Sequence, residues 1–360
     1  MVQYTIRRIF LAVPVLIAVL ILTFLLARSI PGDPCRAILG ERATRASCER
    51  FLRDHGLDQP IIVQFGIFVQ NLMKGDLGDS IRFSRPVTVI LVERLPTTIE
   101  LGFIAMTLAV IVGVPLGILS AVKRNSSVDV FTMIGANFGV SIPVFFLGLM
   151  LIYLFAVLFR DTPLALPPSG RLSPGMAPIP FYVFLNWEPG AQDTARYHLF
   201  EFITNHYIFN SFITGQWDVF RDAVRHMILP AIALATIPLA ITARMTRSSM
   251  LEVLGQDFVR TARAKGLSEN KVVLKHAFRN ALLPVVTIVG LQLGAILSGA
   301  VLTETIFGLA GVGRSVVEAI YSRDFPVLQG FVIVIAFIYV TFNLVIDLSY
   351  GILDPRVRLD

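Results

Sequence analysis

The chain is poor in charge. Asp, Glu, Lys and Arg make up 16% of its 360 residues, where a soluble domain carries about 25%. Too few water-facing side chains remain for an ordinary soluble fold, and a disordered chain would deviate in the opposite direction. Cysteine is scarce too: only Cys35 and Cys48 are present, which excludes a disulfide-stapled scaffold. The five histidines (His55, His198, His206, His226 and His276) are scattered without metal-ligand spacing, and no HExxH or GxSxG motif occurs. None of the five lysines follows a glycine, so there is no phosphate-binding GxxxxGK[ST] loop. No catalytic residue, metal or cofactor of its own is expected for this chain, and it cannot hydrolyse a nucleotide. Although the net charge is +6, this composition argues against a nucleic-acid binder, and no nucleic-acid partner is expected.

Apolar sequence is abundant instead, at 55%. Six stretches free of Asp, Glu, Lys, Arg and His run over 9–27, 101–122, 130–159, 227–243, 281–303 and 325–346. A 22-residue helix is roughly 33 Å long, enough for a hydrocarbon core of ~30 Å. These runs predict an all-α integral membrane protein with six transmembrane helices. The third is overlong and carries Gly139, Ser141 and Pro143 in its middle, where a kink is expected. The fourth is the shortest and holds Pro230 and Pro238, which predicts the least regular helix. The first lacks a following small-residue cleavage site and reads as a retained helix.

Basic residues set the orientation. With six spans, segments 1–8, 123–130, 244–280 and 352–360 share one side and carry 14 Lys and Arg over 62 residues. Segments 31–98, 160–225 and 308–326 carry 16 over 153. The denser set is placed inside, so both termini are expected in the cytoplasm. Residues 197–217 are aromatic but contain His198, Glu201, Asn205, His206 and Asn210, and read as an interfacial or protein-packed helix rather than a seventh span. Residues 1–98 then form the first span plus an outer segment. Residues 99–351 form the core, with an outer insertion at 160–225 and an inner segment at 244–280, and 352–360 form an inner tail. Cys35 and Cys48 both fall in the outer segment, where a disulfide and two free thiols are both compatible with their spacing.

The inner segment is the informative one. Over 246–265 a helix is expected, with Leu251, Leu254, Phe258 and Ala262 along one apolar face. Arg263 and Lys265 suit its C-terminal pole, Gly266 a left-handed stop, and Ser268 the cap of a second helix through Asn280 that leads into the span after Pro284. Two helices meeting at a tight turn make a basic knuckle. It can be a solvated loop drawn to anionic membrane lipid, or a wedge for the groove of a partner.

The run Asp257-Phe-Val-Arg-Thr-Ala-Arg-Ala-Lys-Gly266, with Pro284 18 residues on, resembles the coupling motif of binding-protein-dependent ABC importer permeases, and more narrowly the B-type permeases of dipeptide and oligopeptide importers. The residues Arg244-Met-Thr-Arg-Ser-Ser-Met-Leu-Glu-Val-Leu254, Ile30-Pro-Gly-Asp-Pro34, Gly75-Asp-Leu-Gly78, Arg94-Leu-Pro-Thr-Thr98, Gly299-Ala-Val-Leu-Thr-Glu-Thr-Ile-Phe307 and Asp354-Pro-Arg356 fit the same family. Two features depart from the commonest pattern: Arg260 stands where many ABC permeases have glutamate, as is usual in the peptide branch, and the 160–225 insertion is long. The resemblance implies a type I ABC importer permease fold in the cytoplasmic (inner) membrane. It also implies that Asp257, Phe258, Arg260, Thr261, Ala262, Arg263, Ala264, Lys265 and Gly266 dock into a cleft on an ATPase. The implied partners are two ATPase subunits that bind ATP and Mg, a second homologous permease chain, and an extracytoplasmic peptide-binding protein. The implied cargo is a di- or oligopeptide, with glutathione, a nickel chelate or another small solute as the alternative.

For the translocation path, small and polar residues in the spans offer Asn137, Ser141, Thr287, Gln292, Ser298 and Thr303, beside Gly294 and Gly299. The same residue types also serve close helix packing. A transporter working alone would need paired intramembrane ionisable residues or two matched halves. Only Glu304 and Asp347 occur, both near span ends, and no internal repeat is present. Intramembrane enzyme chemistry lacks its groups for the same reason.

Overall fold

Residues 2–29, 34–40, 43–54, 56–191 and 194–353 are described by the structure, a computed structural model. Residues 30–33 and 354–360, which carry two of the motifs above, lie outside the described residues, as do His55 and the side chains of Ser298 and Asp347. Helix is the only repeating secondary structure among the described residues; one antiparallel bridge pairs Asp79 with Pro86.

The chain opens with α1 (Val2–Ser29), followed by the short α2 (Pro34–Leu39), α3 (Arg45–Asp54) and α4 (Ile61–Met73). The long α5 (Val87–Val122) precedes α6 (Ser127–Ser141) and α7 (Val144–Ile152), which ends in a wider π-type turn over Tyr153–Leu158. Then come α8 (Phe181–Phe184), α9 (Ala195–Thr204), α10 (Tyr207–Ile213) and α11 (Trp217–Leu254). The last part holds α12 (Asp257–Ala264), α13 (Glu269–Lys271), a π-type stretch over Val272–Phe278, α14 (Arg279–Ile306), α15 (Val312–Ser322) and α16 (Phe325–Leu353). Five helices are long and apolar enough to cross a membrane, and the α6–α7 pair makes a sixth span if counted as one. The chain is a multi-pass, all-α membrane protein.

The third span is broken by 100°, a far sharper feature than a kink. Pro143 forces Ile142 into extended backbone (φ −78°, ψ 123°), so the α6 ladder cannot continue. The fourth span corrects the expectation of irregularity. α11 runs 38 residues without interruption through Pro230 and Pro238 and is the most protein-buried of the spans. Proline is tolerated inside a membrane helix where packing around it can re-satisfy the backbone it frees. Its main neighbour is α5, which brings Gly113 and Gly117 to the contact: a Cβ at Gly117 would lie 2.6 Å from the Ala243 carbonyl and from Thr246 Cβ. Small residues four apart let the two backbones close up. The 197–217 segment forms two short packed helices, α9 and α10, and no seventh span.

Beyond the Trp217 end of α11, residues 160–191 and 194–216 form a cap fastened by buried polar contacts. Arg171 donates to Glu100 on α5 at 2.7 Å and to the Asn205 carbonyl at 2.7 Å, and its guanidinium lies 3.7 Å over the Tyr207 ring. Glu100 also accepts the Ile208 N–H at 2.9 Å. Ser173 gives its N–H and its hydroxyl to the two oxygens of Asp222. Cys35 and Cys48 are joined in a disulfide.

Candidate coupling site

α12 stands at the opposite end, beyond Leu254. The expected helix over 246–265 is two helices. Gln256 turns extended (φ −81°, ψ 152°) after Gly255, so α11 stops at Leu254 and α12 starts afresh at Asp257. Leu251 and Leu254 therefore lie on a different helix from Phe258, and the expected stripe does not form. The buried face of α12 is Val259 and Ala262, seated against Met250, Val253, Val272, Val273, Ala277 and Ala281. Phe258 faces away and is 39% exposed, whereas Val259 is fully buried. Burying Val259 removes a branched side chain from water, a gain of about 1.5–3 kcal/mol.

The C-terminus of α12 closes as anticipated at Gly266, which has φ +76°. Its N–H reaches the Arg263 carbonyl at 2.9 Å, and the Leu267 N–H reaches the Ala262 carbonyl at 3.4 Å, the paired bonds of a Schellman stop. Leu267 then folds back onto the same apolar seat. Ser268 is extended at the next helix start but gives no side-chain cap. From Glu269 the chain runs on through the π-type stretch into α14 and past Pro284, with no stop at Asn280. Thus α12 is tied through one seat to both α11 and the α14 span.

The outward surface of α12 is polar. Asp257, Arg260, Thr261, Arg263, Ala264, Lys265 and Gly266 are all exposed. Arg260 pairs with Asp257 at 3.2 Å, and Arg263 forks onto Glu269 at 2.8 and 3.4 Å. A residue the sequence reading passed over anchors the ground beneath: Asp129 takes both arms of Arg247 at 2.7 and 2.8 Å, together with the Ser120 hydroxyl and the Asn125 N–H. This joins α5, α6 and α11 on the side of α12. The sequence signal for it is a lone Asp at the start of an apolar run.

Of the six path candidates, Asn137 and Ser141 lie on α6 and the other four on α14. Asn137 and Ser141 are exposed on α6, with the Ser141 hydroxyl donating to the Asn137 carbonyl. Thr287 and Gln292 are half-buried on α14, and Thr303 is wholly buried with an unpaired hydroxyl. Gly294 lets Tyr339 approach so closely that a Cβ would lie 2.6 Å from its ring, which is a packing role. Ser298 sits within α14. Glu304 is fully buried, accepts the Thr98 hydroxyl at 2.6 Å and the Arg314 backbone N–H at 2.9 Å, and fills the space above Gly311.

The structure is thus a many-span helical bundle that carries an exposed helix, α12, seated on an apolar cluster between two spans. Two family models match the chain: the binding-protein-dependent transport system inner membrane component over residues 113–359, and the N-terminal part of that membrane component over residues 1–102. The chain belongs to this family of permeases. It is 45% identical over 362 residues to the dipeptide transport system permease protein of Escherichia coli strain K12, covering 99% of each. The dipeptide transport system permease protein of Alkalihalophilus pseudofirmus is 43% identical over 359 residues, 99% of this chain and 100% of the relative. A di/tripeptide transport system permease protein of Pseudomonas aeruginosa is 42% identical, over 99% of each.

Proposed function

We propose that this chain is the permease subunit of an ATP-driven importer of di- and oligopeptides. It lies in the cytoplasmic membrane with both termini and α12 on the inner side. Relatives at 42–45% identity over nearly full length, named for dipeptide and di/tripeptide transport, support the cargo. The observation that carries the coupling is the split of α12 into two faces. Val259 and Ala262 are locked into the bundle, while Phe258, Arg260 and Thr261 project from it. A partner that grips the projecting face moves α11 and α14 with it, because all three share one apolar seat.

In this reading two ATPase subunits, which bind ATP and Mg, receive α12 and its counterpart on a second, homologous permease. An extracytoplasmic peptide-binding protein delivers cargo to the far side. ATP-driven approach of the ATPases pulls the two permeases and switches the cavity between its two openings. Phe258 is the apolar anchor of the docked face, and Gly266 fixes the angle at which α12 leaves the bundle.

The test is purification of the tagged chain from native membranes and its Phe258→Asp variant. Nucleotide-binding subunits and a second permease should accompany the parent chain. The variant should reach the membrane at the same level, lose the ATPases and lose peptide uptake. Recovery of the chain alone in repeated gentle detergents would overturn the reading and favour a transporter working by itself.

A further inference from the structure

A cleft of about 560 Å³ opens between the start of α5 and α9, away from α12. It is lined by Arg85 in the turn just before α5, by Val89, Val92 and Glu93 on α5, the last two lying three and four residues beyond Val89, and by Tyr197, His198 and Glu201 on α9. The volume falls in the range of small-ligand sites, about 300–1,000 Å³. Its charges are mixed and reachable. Arg85 pairs with Glu93, yet the two side chains remain 48% and 38% exposed. Glu201 accepts the Tyr182 hydroxyl at 2.7 Å and has no cationic partner among the described residues. Burial first, and then the fields of Glu201 and Glu93, hold the Tyr197 phenol above its ordinary range, so both carboxylates act on one spot of the cleft.

We propose that this cleft is a transient seat for a zwitterionic peptide, with the peptide carboxylate on Arg85, its ammonium between Glu93 and Glu201, and its backbone over Val89 and Val92. The seat rests on the peptide-import reading and deepens it by naming a stop between delivery and the membrane passage. The charge count suits such a ligand. One guanidinium and two carboxylates leave the cleft with an excess negative charge, and a zwitterion exchanges the Arg85–Glu93 pair for one pair at each of its ends. A peptide with both termini blocked has neither charge to exchange. Because the groups are open to water, each pair contributes little, and exchange is fast. That is what a relay requires.

The experiment uses the complete complex in nanodiscs, without binding protein, and alanyl-photoleucine as probe. Light should label segments 85–93 and 197–201. Free alanyl-leucine should compete and N-acetyl-alanyl-leucine amide should not. Arg85→Gln and Glu201→Gln should each cut labelling roughly 2- to 5-fold, the scale of one exposed ion pair. Arg85→Lys should retain it, and unchanged ATP hydrolysis in all three variants reports an intact complex. Labelling elsewhere only, or equal competition by the blocked peptide, overturns the seat. So does finding these segments crosslinked to the binding protein in the assembled system while no probe reaches them. If the same complex with binding protein fails to take up alanyl-leucine at all, the peptide-import reading fails first, and the seat with it.

Discussion

The cap and the outer face of α12 use the same charged residue types in opposite ways. In the cap, Glu100 and Arg171 are only 7% and 8% exposed, and each charge meets further donors or acceptors from chain segments far away. Glu304 and Asp324 are buried in the same manner; Asp324 accepts the Ser80 hydroxyl at 2.5 Å and the backbone N–H groups of Ile81 and Arg82 at 3.2 Å. At α12 the pair Arg260–Asp257 is 74% and 92% exposed, and what holds the helix is an apolar seat. Buried charge here works as a fastener and exposed charge as a display. The same buried fastening recurs beneath α12 at Asp129 and Arg247, but α12 itself is held by its apolar seat, so its outer surface can change freely and can be fitted to another protein.

The strongest way to break this comparison is to remove one fastener. Arg171→Ala leaves the Glu100 carboxylate buried with only the Ile208 N–H, and breaking a buried pair by one partner costs about 3–5 kcal/mol. The unfolding midpoint of the detergent-solubilised protein should fall by several degrees, and limited proteolysis should cut within 160–216 first. Restoring an uncharged pair with Glu100→Gln and Arg171→Met should recover much of the loss, since the penalty lies in the stranded charge. A single variant as stable as the parent would mean that the cap is held by packing alone.

These fasteners also mark where the sequence ceases to be legible. The partners Glu100–Arg171, Thr98–Glu304 and Ser80–Asp324 are 71, 206 and 244 residues apart, and no local pattern announces them. For the same reason the charge-free runs ended α5 at 101 and α11 at 227, although both helices begin more than a turn earlier: Glu100 and His226 are buried against protein, and lipid never sees them. α12 was legible because its determinants are local. Its motif, its exposed charges and its Gly266 stop lie within ten residues; what the sequence did not reveal is the break that separates it from α11, the missing Ser268 cap and the inward face, which is Val259 and not Phe258. A helical face is fixed by its start, and the break at Gly255–Gln256 moved that start. The termination of the third span at Pro143 was legible in kind but not in degree, since a proline says that a ladder ends and not where the next helix points.

Gly266→Val gives the next largest effect. Space is not the obstacle, as a Cβ there meets nothing within 4 Å. The left-handed backbone is the obstacle, at about 1–3 kcal/mol for a residue that resists it. Because the turn is at the surface, the bundle should stay folded while the α12 exit angle shifts. Uptake should drop more than ATP hydrolysis in the reconstituted complex, and the unfolding midpoint should move less than for Arg171→Ala. Equal uptake would show that the exit angle is not read by the partner.

The smallest effect sharpens the contrast most. Arg263 and Glu269 form a forked pair at 2.8 Å with 43% and 62% of their side chains exposed. Such pairs contribute about 0.2–1 kcal/mol, and solvent and salt erode even that. Arg263→Ala should therefore leave the unfolding midpoint of the isolated chain within a degree or so of the parent, in a geometry that on distance alone matches the Arg171–Glu100 contact. If α12 is a display surface, the same substitution should still weaken retention of the ATPase subunits, and do so more at low salt than at high. A large loss of stability in the isolated chain would instead place Arg263 among the fasteners, and the cap and α12 would no longer differ in kind.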